Sequence, residues 1–279
     1  MSELASYPGD LTDEQWDLVF PILSRVGQRG RPQKYDLRQV FNGCAYIASG
    51  GCSWRRLPKD AYPPWPCVYK HYQRWSALNL FETLALTLNR AVRVAAGREE
   101  TPSTGIVDAH SLKSQHGGEA IGFDGNKKVH GRKNQILTDT LGLLWGVHTH
   151  AANLSDTKEV IPLLNRSLQT LETMTRLYLD KGYRGAGVEH IEELDLTAIV
   201  PENGLGTQEK GFKPVAVRWR VERSIAWITR FRRLANSYER TIRSCVAFTW
   251  LAGCLIALGK LAGGHQWQKK KTAQNNDGN

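Results

Sequence analysis

Apolar residues recur at helical spacing through the first 96 residues of the chain. In LTDEQWDLVFPIL (11–23) they repeat every three to four positions, and Thr12 with Gln15 forms a capping-box signature. Pro21 falls inside this pattern and predicts a kink or break. Three further helices are predicted, at residues 36–49, 66–78 and 80–96. The pattern therefore predicts a small all-α domain over residues 1–96.

The pattern changes after a linker at 97–104, where short β-branched apolar runs alternate with amphipathic stretches. Strands are predicted at residues 106–111, 127–140, 141–152, 176–180 and 196–201. Helices are predicted at residues 155–171, 187–194, 218–235 and 246–262. The order β-β-β-α-β-α-β-α-α is typical of an α/β domain, a mixed sheet flanked by helices, over 105–263. The polar tail, 264–279, is expected to be disordered.

Composition narrows the class of protein. The longest apolar run, 246–259, has 14 residues and is too short for a membrane span, which needs about 20. The net charge of +10 favours a polyanionic partner, although a merely soluble basic protein would share it. Five cysteines without any C-x-x-C predict neither a zinc ribbon nor a disulfide framework. With no signal peptide, we expect a cytoplasmic protein without membrane contact.

Two apolar strands end abruptly in an acidic residue. RLYLDKGYRG (176–185) delivers Asp180 to a turn, and TGIVDAHSLK (104–113) delivers Asp108 in the same way. A carboxylate at the end of a buried strand is costly, and two neighbouring ones repel each other unless they share a cation. Oxygen ligands of this kind suit Mg²⁺ or Mn²⁺. Alternatively, each aspartate caps the turn that follows it.

A third acid, Glu222, lies in the helix RWRVERSIAWITRFRRL beside an apolar face. Basic residues surround it, namely Arg218, Arg220, Arg223, Arg230, Arg232 and Arg233. Such a helix can place one carboxylate on a metal ion and several guanidinium groups on phosphates. The alternative for Glu222 is an intrahelical ion pair with Arg218 or Arg223.

The helical N-terminal part also carries exposed cations. Two of its helices joined by a bend suggest a helix-turn-helix reader, in which the third helix would present Lys70 and Arg74, with His71 and Gln73, to DNA. The alternative is a small bundle that packs against the second domain or another subunit.

Taken together, these motifs resemble those of the DDE transposases of bacterial insertion sequences. The N-terminal part carries LTDEQW (11–16) and SWRRLP (53–58), and the acids lie in VDAHSLKS, LDKGYRG and RWRVERSIAWITRFRRL. The three acids are separated by 72 and 42 positions, which suits that family. The resemblance covers residues 10–262 and implies an RNase H-like fold for the sheet domain.

The resemblance also implies an activity and its parts. It implies that Asp108, Asp180 and Glu222 are catalytic ligands of Mg²⁺ (or Mn²⁺). The expected reactions are cleavage of double-stranded DNA at the element ends and attack of the freed 3′-hydroxyl on target DNA. We further expect a homodimer in a synaptic complex, associated with the bacterial nucleoid when bound to DNA.

Basic positions of the family are matched in part. A K-x-H-G-x-K segment of the second strand predicts DNA contacts near the active site by Lys128, His130, Arg132 and Lys133. Alternatively, this is an edge strand whose solvated charges prevent it from pairing with another chain. Around the glutamate, related transposases show Tyr-x₂-Arg-x₃-Glu-x₆-Lys. Arg218 matches the arginine, but Val215 and Thr229 occupy the tyrosine and lysine positions, with Arg230 next to the latter as a substitute.

Competing hypotheses use the same acids. An RNase H-like nuclease without strand transfer would need all three, and an inactive DNA-binding remnant would need none. A metal-dependent phosphatase usually carries D-x-D-x, whereas His110 stands two positions after Asp108.

Overall fold

The computed structural model describes residues 7–25, 34–200 and 218–262, with side chains in the last range from residue 223 onward. Its helices are α1 (Asp13–Leu23), α2 (Leu37–Gly50), α3 (Trp65–Ala77), α4 (Leu80–Ala95), α5 (Asp156–Ser167), α6 (Ala186–Glu193), α7 (Arg218–Thr229) and α8 (Ile242–Ala262). Its strands are β1 (Thr104–Lys113), β2 (Gly122–Asp124), β3 (Val129–Asp139), β4 (Leu144–Ala151), β5 (Arg176–Tyr178) and β6 (Thr197–Ile199). The tail predicted at 264–279 lies outside the described residues.

The first two helices begin and end at the residues that local chemistry favours. The capping box is confirmed, because the Gln15 N–H donates to Thr12 Oγ1 and the Thr12 N–H donates to Gln15 Oε1. Pro21 does not break α1, which continues to Leu23, because it lies in the last turn of the helix. Helix α2 ends at Gly51, which has φ of +72° and whose Cβ position would lie 2.8 Å from Arg232 Cβ.

The N-terminal helices pack on the sheet domain through polar as well as apolar contacts. Tyr72 of α3 stacks on Phe248 of α8 with ring centroids 4.5 Å apart, and its hydroxyl donates to the Ser244 carbonyl at 2.8 Å. Asn89 of α4 donates to the Leu144 carbonyl of β4 at 2.6 Å. Buried side chains of the helices and of the sheet form one hydrophobic cluster. The helices α1–α4 and the sheet therefore share a single core.

The sheet combines antiparallel and parallel strands. Strands β4, β3 and β1 are antiparallel neighbours, and β1, β5 and β6 are parallel neighbours in that order. This is the strand order of the RNase H-like fold, with α5 and α6 in the connections between the strands. The mixed sheet and its preceding helices confirm the predicted fold class. Strand β2, which the sequence pattern did not predict, pairs with the start of β3.

Helix α8 is the buried core helix that the apolar run predicts. It extends over 21 residues, more than the 14 of the run, and packs against α4 and β4. By length and composition it is the one helix in the described ranges that could cross a membrane. Its most apolar window is 61% buried inside the structure, as is typical of a core helix in a soluble protein.

Candidate active site on two parallel strands

Asp108 and Asp180 lie at the same level of the sheet. Strands β1 and β5 are parallel, and Ile106 is the register partner of Tyr178. Each aspartate follows its partner residue by two positions, so the two carboxylates lie at one level of neighbouring chains. Asp180 lies just past the end of β5, as predicted. The prediction that Asp108 also ends its strand is wrong, because β1 stays paired with β3 as far as Lys113. Both side chains are half-buried. The structure thus brings together two of the three predicted acids.

Each carboxylate accepts one local backbone hydrogen bond. Asp108 Oδ1 accepts from the Ala109 N–H at 2.7 Å, and Asp180 Oδ1 accepts from the Lys181 N–H at 2.7 Å. The second bond caps the short 3₁₀ turn at Lys181–Tyr183, so the structural role considered for Asp180 is real. A carboxylate has about four acceptor sites, so one backbone bond is compatible with metal ligation.

Tyr183 is a neighbour of both acids that the sequence pattern did not single out. Its N–H donates to the Asp180 carbonyl at 3.1 Å, and its side chain is only 2% exposed. Burial, followed by the charges of Asp108, Asp156 and Asp180, raises the pKa of the phenol well above its usual range. The tyrosine hydroxyl therefore stays protonated among three carboxylates. Within a turn-forming Lys-Gly-Tyr, nothing in the sequence distinguishes such a tyrosine from a surface one.

Glu222, the third predicted acid, belongs to α7, but its side chain lies outside the described part of the chain, as does that of Arg218. Helix α7 packs against β1. Its described residues are anchored by Ile228, which is 2% exposed, and by Ser224, whose hydroxyl donates to the Gly142 carbonyl at 3.3 Å. The role of Glu222 as a ligand therefore stays a prediction.

A basic hairpin lies beside Asp108. Strands β2 and β3 are joined by a turn in which Asp124 Oδ1 accepts from the N–H groups of Asn126 and Lys127, at 3.0 and 3.1 Å. Lys127 Nζ donates to the Ala109 carbonyl at 3.3 Å, next to Asp108. Lys127 was not among the predicted DNA contacts, although it opens the same KKVHGRK segment.

Further along the hairpin, the side chains of Lys128 and His130 are exposed as a DNA contact requires. The structure explains why the K-x-H-G-x-K segment has a glycine, Gly131, at its fourth position. A Cβ there would lie 1.9 Å from the Leu112 carbonyl oxygen of β1, so no side chain fits between the two strands.

The predictions of DNA contacts for Arg132 and Lys133 are corrected by their burial. Arg132 is 0% exposed, and its guanidinium donates to the Glu119, Glu239 and Arg240 carbonyls and to Ser237 Oγ. These bonds tie two distant loops to β3. Lys133 is 8% exposed, and its Nζ lies 3.0 Å from Asp156 Oδ1. Both side chains stabilise the fold and have no surface to offer to DNA.

Of the arginines predicted to bind phosphates, some are exposed and others are engaged by neighbouring residues of the fold. Arg230 and Arg232 are exposed. Arg223 lies with its guanidinium carbon 4.7 Å from the centre of the Trp227 ring. Arg233 pairs with Glu239 at 2.6 Å and donates to the Cys52 carbonyl, so its guanidinium joins the α2 end to the segment before α8. Burial in that ion pair argues against a DNA contact by Arg233.

On α3, Val68, Tyr72 and Trp75 are buried, which leaves Lys70 and Arg74 exposed on the opposite side. The helix thus presents the two cations that the helix-turn-helix interpretation requires. His71 is half-buried and packs against the Trp75 ring, with centroids 5.4 Å apart.

The two aligned aspartates fit a divalent cation. Two carboxylates on neighbouring strands supply the oxygen donors that Mg²⁺ and Mn²⁺ prefer. Beside them, the Tyr183 hydroxyl has no hydrogen-bond partner among the described residues. Within those residues, no group of three or more His, Cys, Asp or Glu side chains is arranged to hold a metal ion. The described part of the site is thus an aspartate pair, without the side chain of Glu222.

The fold and the paired acids define the class of RNase H-like, DDE-type domains. A family described as putative transposase of IS4/5 family matches residues 11–85. A second family, described as transposase DDE domain, matches residues 99–257, which is more than half of the chain. The chain therefore belongs to the transposase DDE domain family. Such a domain implies the use of divalent metal ions.

A relative and two solved structures are similar to this chain. A putative transposase for insertion sequence element IS402 from Burkholderia cepacia is 32% identical over 138 residues, or 47% of this chain. The matched region spans 64% of that relative, less than two-thirds of its length.

The structural similarities are looser. The catalytic core domain of BIV integrase is 14% identical, covers 58% of this chain and 84% of its own, and has a TM-score of 0.33. The Mos1 mariner paired end complex with Mn is 11% identical, covers 90% of this chain and 88% of its own, and has a TM-score of 0.25. The family assignment rests on the sequence matches alone.

Proposed function

We propose that this protein is a transposase that cleaves DNA at the ends of its own insertion sequence and joins the freed 3′-hydroxyl to target DNA. The observation that carries the proposal is the register of β1 and β5, which aligns Asp108 with Asp180 in a chain of the DDE family. The relative from Burkholderia cepacia, described as a putative transposase, supports the same assignment.

In this proposal Asp108, Asp180 and Glu222 hold Mg²⁺ or Mn²⁺. When bound, the ions activate the attacking water or 3′-hydroxyl and stabilise the leaving oxygen of the phosphodiester. The protein supplies the fixed positions of the carboxylates, two of which lie on adjacent strands of one rigid sheet. Lys127, held against the Ala109 carbonyl, adds a positive charge beside Asp108 that favours binding of a phosphate.

The partner in this proposal is double-stranded DNA, both element end and target. Exposed cations lie on three elements, the β2–β3 hairpin, the segment after α7 and helix α3. They are Lys127, Lys128, His130 (when protonated), Arg230, Arg232, Lys70 and Arg74. The net charge of +10 supports an anionic partner of this size. Two copies of the chain would hold two ends in a synaptic complex at the bacterial nucleoid.

A strand-transfer assay tests the proposal. Full-length protein is incubated with Mg²⁺, a labelled duplex that ends in an already exposed element 3′-hydroxyl, and a supercoiled target plasmid. We expect labelled joint molecules with the wild type and a loss of roughly 1,000-fold or more with Glu222→Gln, because a metal ligand is removed. Glu192→Gln, an exposed change of the same kind on α6, serves as the control and should join normally.

The other hypotheses predict different products. Cleavage of uncut element ends without joining would replace the transposase assignment with the nuclease that lacks strand transfer. DNA binding without either reaction would indicate an inactive DNA-binding remnant. Unchanged joining by Glu222→Gln would remove that residue from the site.

A further inference from the structure

The SWRRLP segment (53–58) folds as a short 3₁₀ turn, called the arginine turn below. Trp54 packs against the rings of two tyrosines of α3, with ring centroids 5.1 Å apart in both cases. Leu57 is 4% exposed and belongs to the hydrophobic core. These two apolar side chains hold the turn in place, and the residues between them, Arg55 and Arg56, are exposed.

The two arginine side chains of the turn contribute little to the fold. Neither forms a hydrogen bond or an ion pair within the described part of the chain. The guanidinium carbon of Arg55 lies 5.6 Å from the centre of the Trp65 ring, a weak contact at the protein surface. That contact uses the face of the guanidinium group and leaves the N–H groups at its edge available to a ligand. Packing explains the apolar residues of the turn but not its charges.

The chain just before the arginine turn contacts the segment that follows α7. A Cβ on Gly51 would lie 2.8 Å from Arg232 Cβ, so the two backbones are in contact. The Arg233 guanidinium donates to the Cys52 carbonyl at 3.1 Å. Arg55 is four residues from Gly51, and even a fully extended chain of that length spans only about 14 Å. The turn therefore lies close to the exposed side chain of Arg232.

The acid nearest in this contact does not offset the charge of the turn. Glu239 is paired with Arg233 at 2.6 Å, and it also accepts a hydrogen bond from the Ser244 hydroxyl at 2.7 Å. The contact thus joins two segments whose exposed side chains are basic. They are Arg55 and Arg56 on the turn and Arg232 after α7.

We propose that the arginine turn binds the phosphate backbone of duplex DNA and extends the surface that includes Arg232. The inference rests on the proposed function for the DNA partner. Arginine suits this role because its planar guanidinium donates two parallel hydrogen bonds to a phosphate. Since Trp54 and Leu57 already hold the turn, binding orders no loop. Phosphate contacts orient a duplex without reading its sequence, so the turn positions the DNA.

The double variant Arg55→Gln with Arg56→Gln tests this role in the full-length protein. Fluorescence anisotropy measures its binding to a labelled element-end duplex at several salt concentrations. We expect the slope of log binding constant against log salt to fall by about 1.8, or about 0.9 for each lost phosphate contact. Affinity for an unrelated duplex should fall by the same factor, because a phosphate contact is independent of sequence.

Arg98→Gln with Arg176→Gln is the matched control. It removes the same charge from two exposed positions, one before β1 and one at the first residue of β5. This control should keep the slope of the wild type. Arg55→Lys with Arg56→Lys, which preserves the charge of the turn, should keep most of the slope as well. The unfolding temperature should be unchanged in all three double variants, since the apolar anchors of the turn remain.

The outcomes separate this inference from the proposed function. If the glutamine variant keeps the wild-type slope while Arg232→Ala lowers it, the role of the turn is overturned and the DNA partner stands. An equal fall in the control variant, a loss confined to the element-end duplex, or a large fall in unfolding temperature would also overturn it. If the wild type binds no DNA, the proposed function fails and this inference fails with it.

Discussion

The turn between β3 and β4 and the region where β1 passes the end of β5 both hold carboxylates, but the protein surrounds those carboxylates in different ways. Asp139 at the turn is 0% exposed. It pairs with Arg93 at 2.7 Å and accepts the N–H groups of Leu141 and Leu143 at 2.8 and 3.0 Å. On β1 and just past β5, Asp108 and Asp180 are instead aligned with each other, and the hydroxyl of nearby Tyr183 has no hydrogen-bond partner among the described residues.

Under the proposed function, this difference separates polar groups that stabilise the fold from polar groups that bind a ligand. A buried acid with a full set of donors is neutralised by the protein itself, whereas two acids at one level of neighbouring strands repel each other less when they share a cation. The basic residues divide along the same line. Arg132 donates to carbonyls and a hydroxyl of the fold, whereas Lys127 and Lys128 are exposed and Lys127 contacts the residue after Asp108.

The largest expected effect on stability comes from breaking the buried ion pair between Asp139 and Arg93. Asp139→Asn leaves the buried guanidinium of Arg93 without its counter-charge, so we expect a loss of about 3–5 kcal/mol in the free energy of unfolding. Urea denaturation followed by tryptophan fluorescence measures it. The matched change Asp108→Asn should alter the free energy of unfolding by less than about 1 kcal/mol, or increase it, because it relieves repulsion. Equal losses in the two variants would contradict the comparison.

The adjacent residues Arg232 and Arg233 should show a smaller difference in stability of the same kind. Arg233→Ala removes the ion pair with Glu239, and we expect a loss of about 2 kcal/mol in unfolding free energy. Arg232→Ala changes an exposed side chain and should leave stability within about 0.5 kcal/mol. Arg232→Ala should instead lower the slope of log binding constant against log salt by about 0.9, the value for one phosphate contact. An unchanged slope would remove this position from the DNA path.

Helix α3 gives a test of end recognition. Lys70→Ala with Arg74→Ala should reduce the preference for element-end DNA over unrelated DNA by about 30-fold or more, if each cation reads a base edge. Competition gel shifts measure the preference. Deletion of residues 1–96 is a poorer test, because it would expose α8 and remove the contact of Tyr72 with Ser244. An unaltered preference in the double variant would indicate that these helices pack against the rest of the protein and do not recognise the element end.

The smallest expected effect concerns His150, 3% exposed, whose ring stacks on His148. Burial lowers the pKa of His150, against the opposing charges of Glu159 and Asp156. Because the pKa is lower in the folded state, the unfolded state binds the proton more readily below about pH 6.5. Stability should therefore be complete above that pH and fall as the pH decreases, and His150→Gln should flatten this fall. An identical pH profile in thermal unfolding would contradict the assignment.

Local patterns in the sequence predicted the parts of the fold that local forces determine. The capping box of Thr12, the end of α2 at Gly51 and the apolar runs before Asp108 and Asp180 are all of this kind. Strand β2 was missed because three residues carry no measurable periodicity. The burial of Arg132 was missed because its acceptors come from loops more than 100 positions away in the sequence, as well as from Glu119.

The candidate site was predictable only where an acid directly follows an apolar run, as Asp108 and Asp180 do. Tyr183 lies in a polar turn, and its burial depends on the packing of that turn against α5. Lys127 carries no feature that separates it from Lys128, and only the turn geometry brings its ammonium group to the Ala109 carbonyl. Such residues become visible once long-range packing is known.

The central claim is that the aligned pair Asp108 and Asp180 binds divalent ions that drive cleavage of DNA. The most direct measurement incubates the full-length protein with uncut element-end DNA in Mg²⁺ or in EDTA and scores the appearance of a free 3′-hydroxyl at the element end. We expect the wild type to cleave only with Mg²⁺, and Asp180→Asn to bind the same DNA without cleaving it. Cleavage in EDTA, or cleavage by Asp180→Asn at the wild-type rate, would contradict the claim.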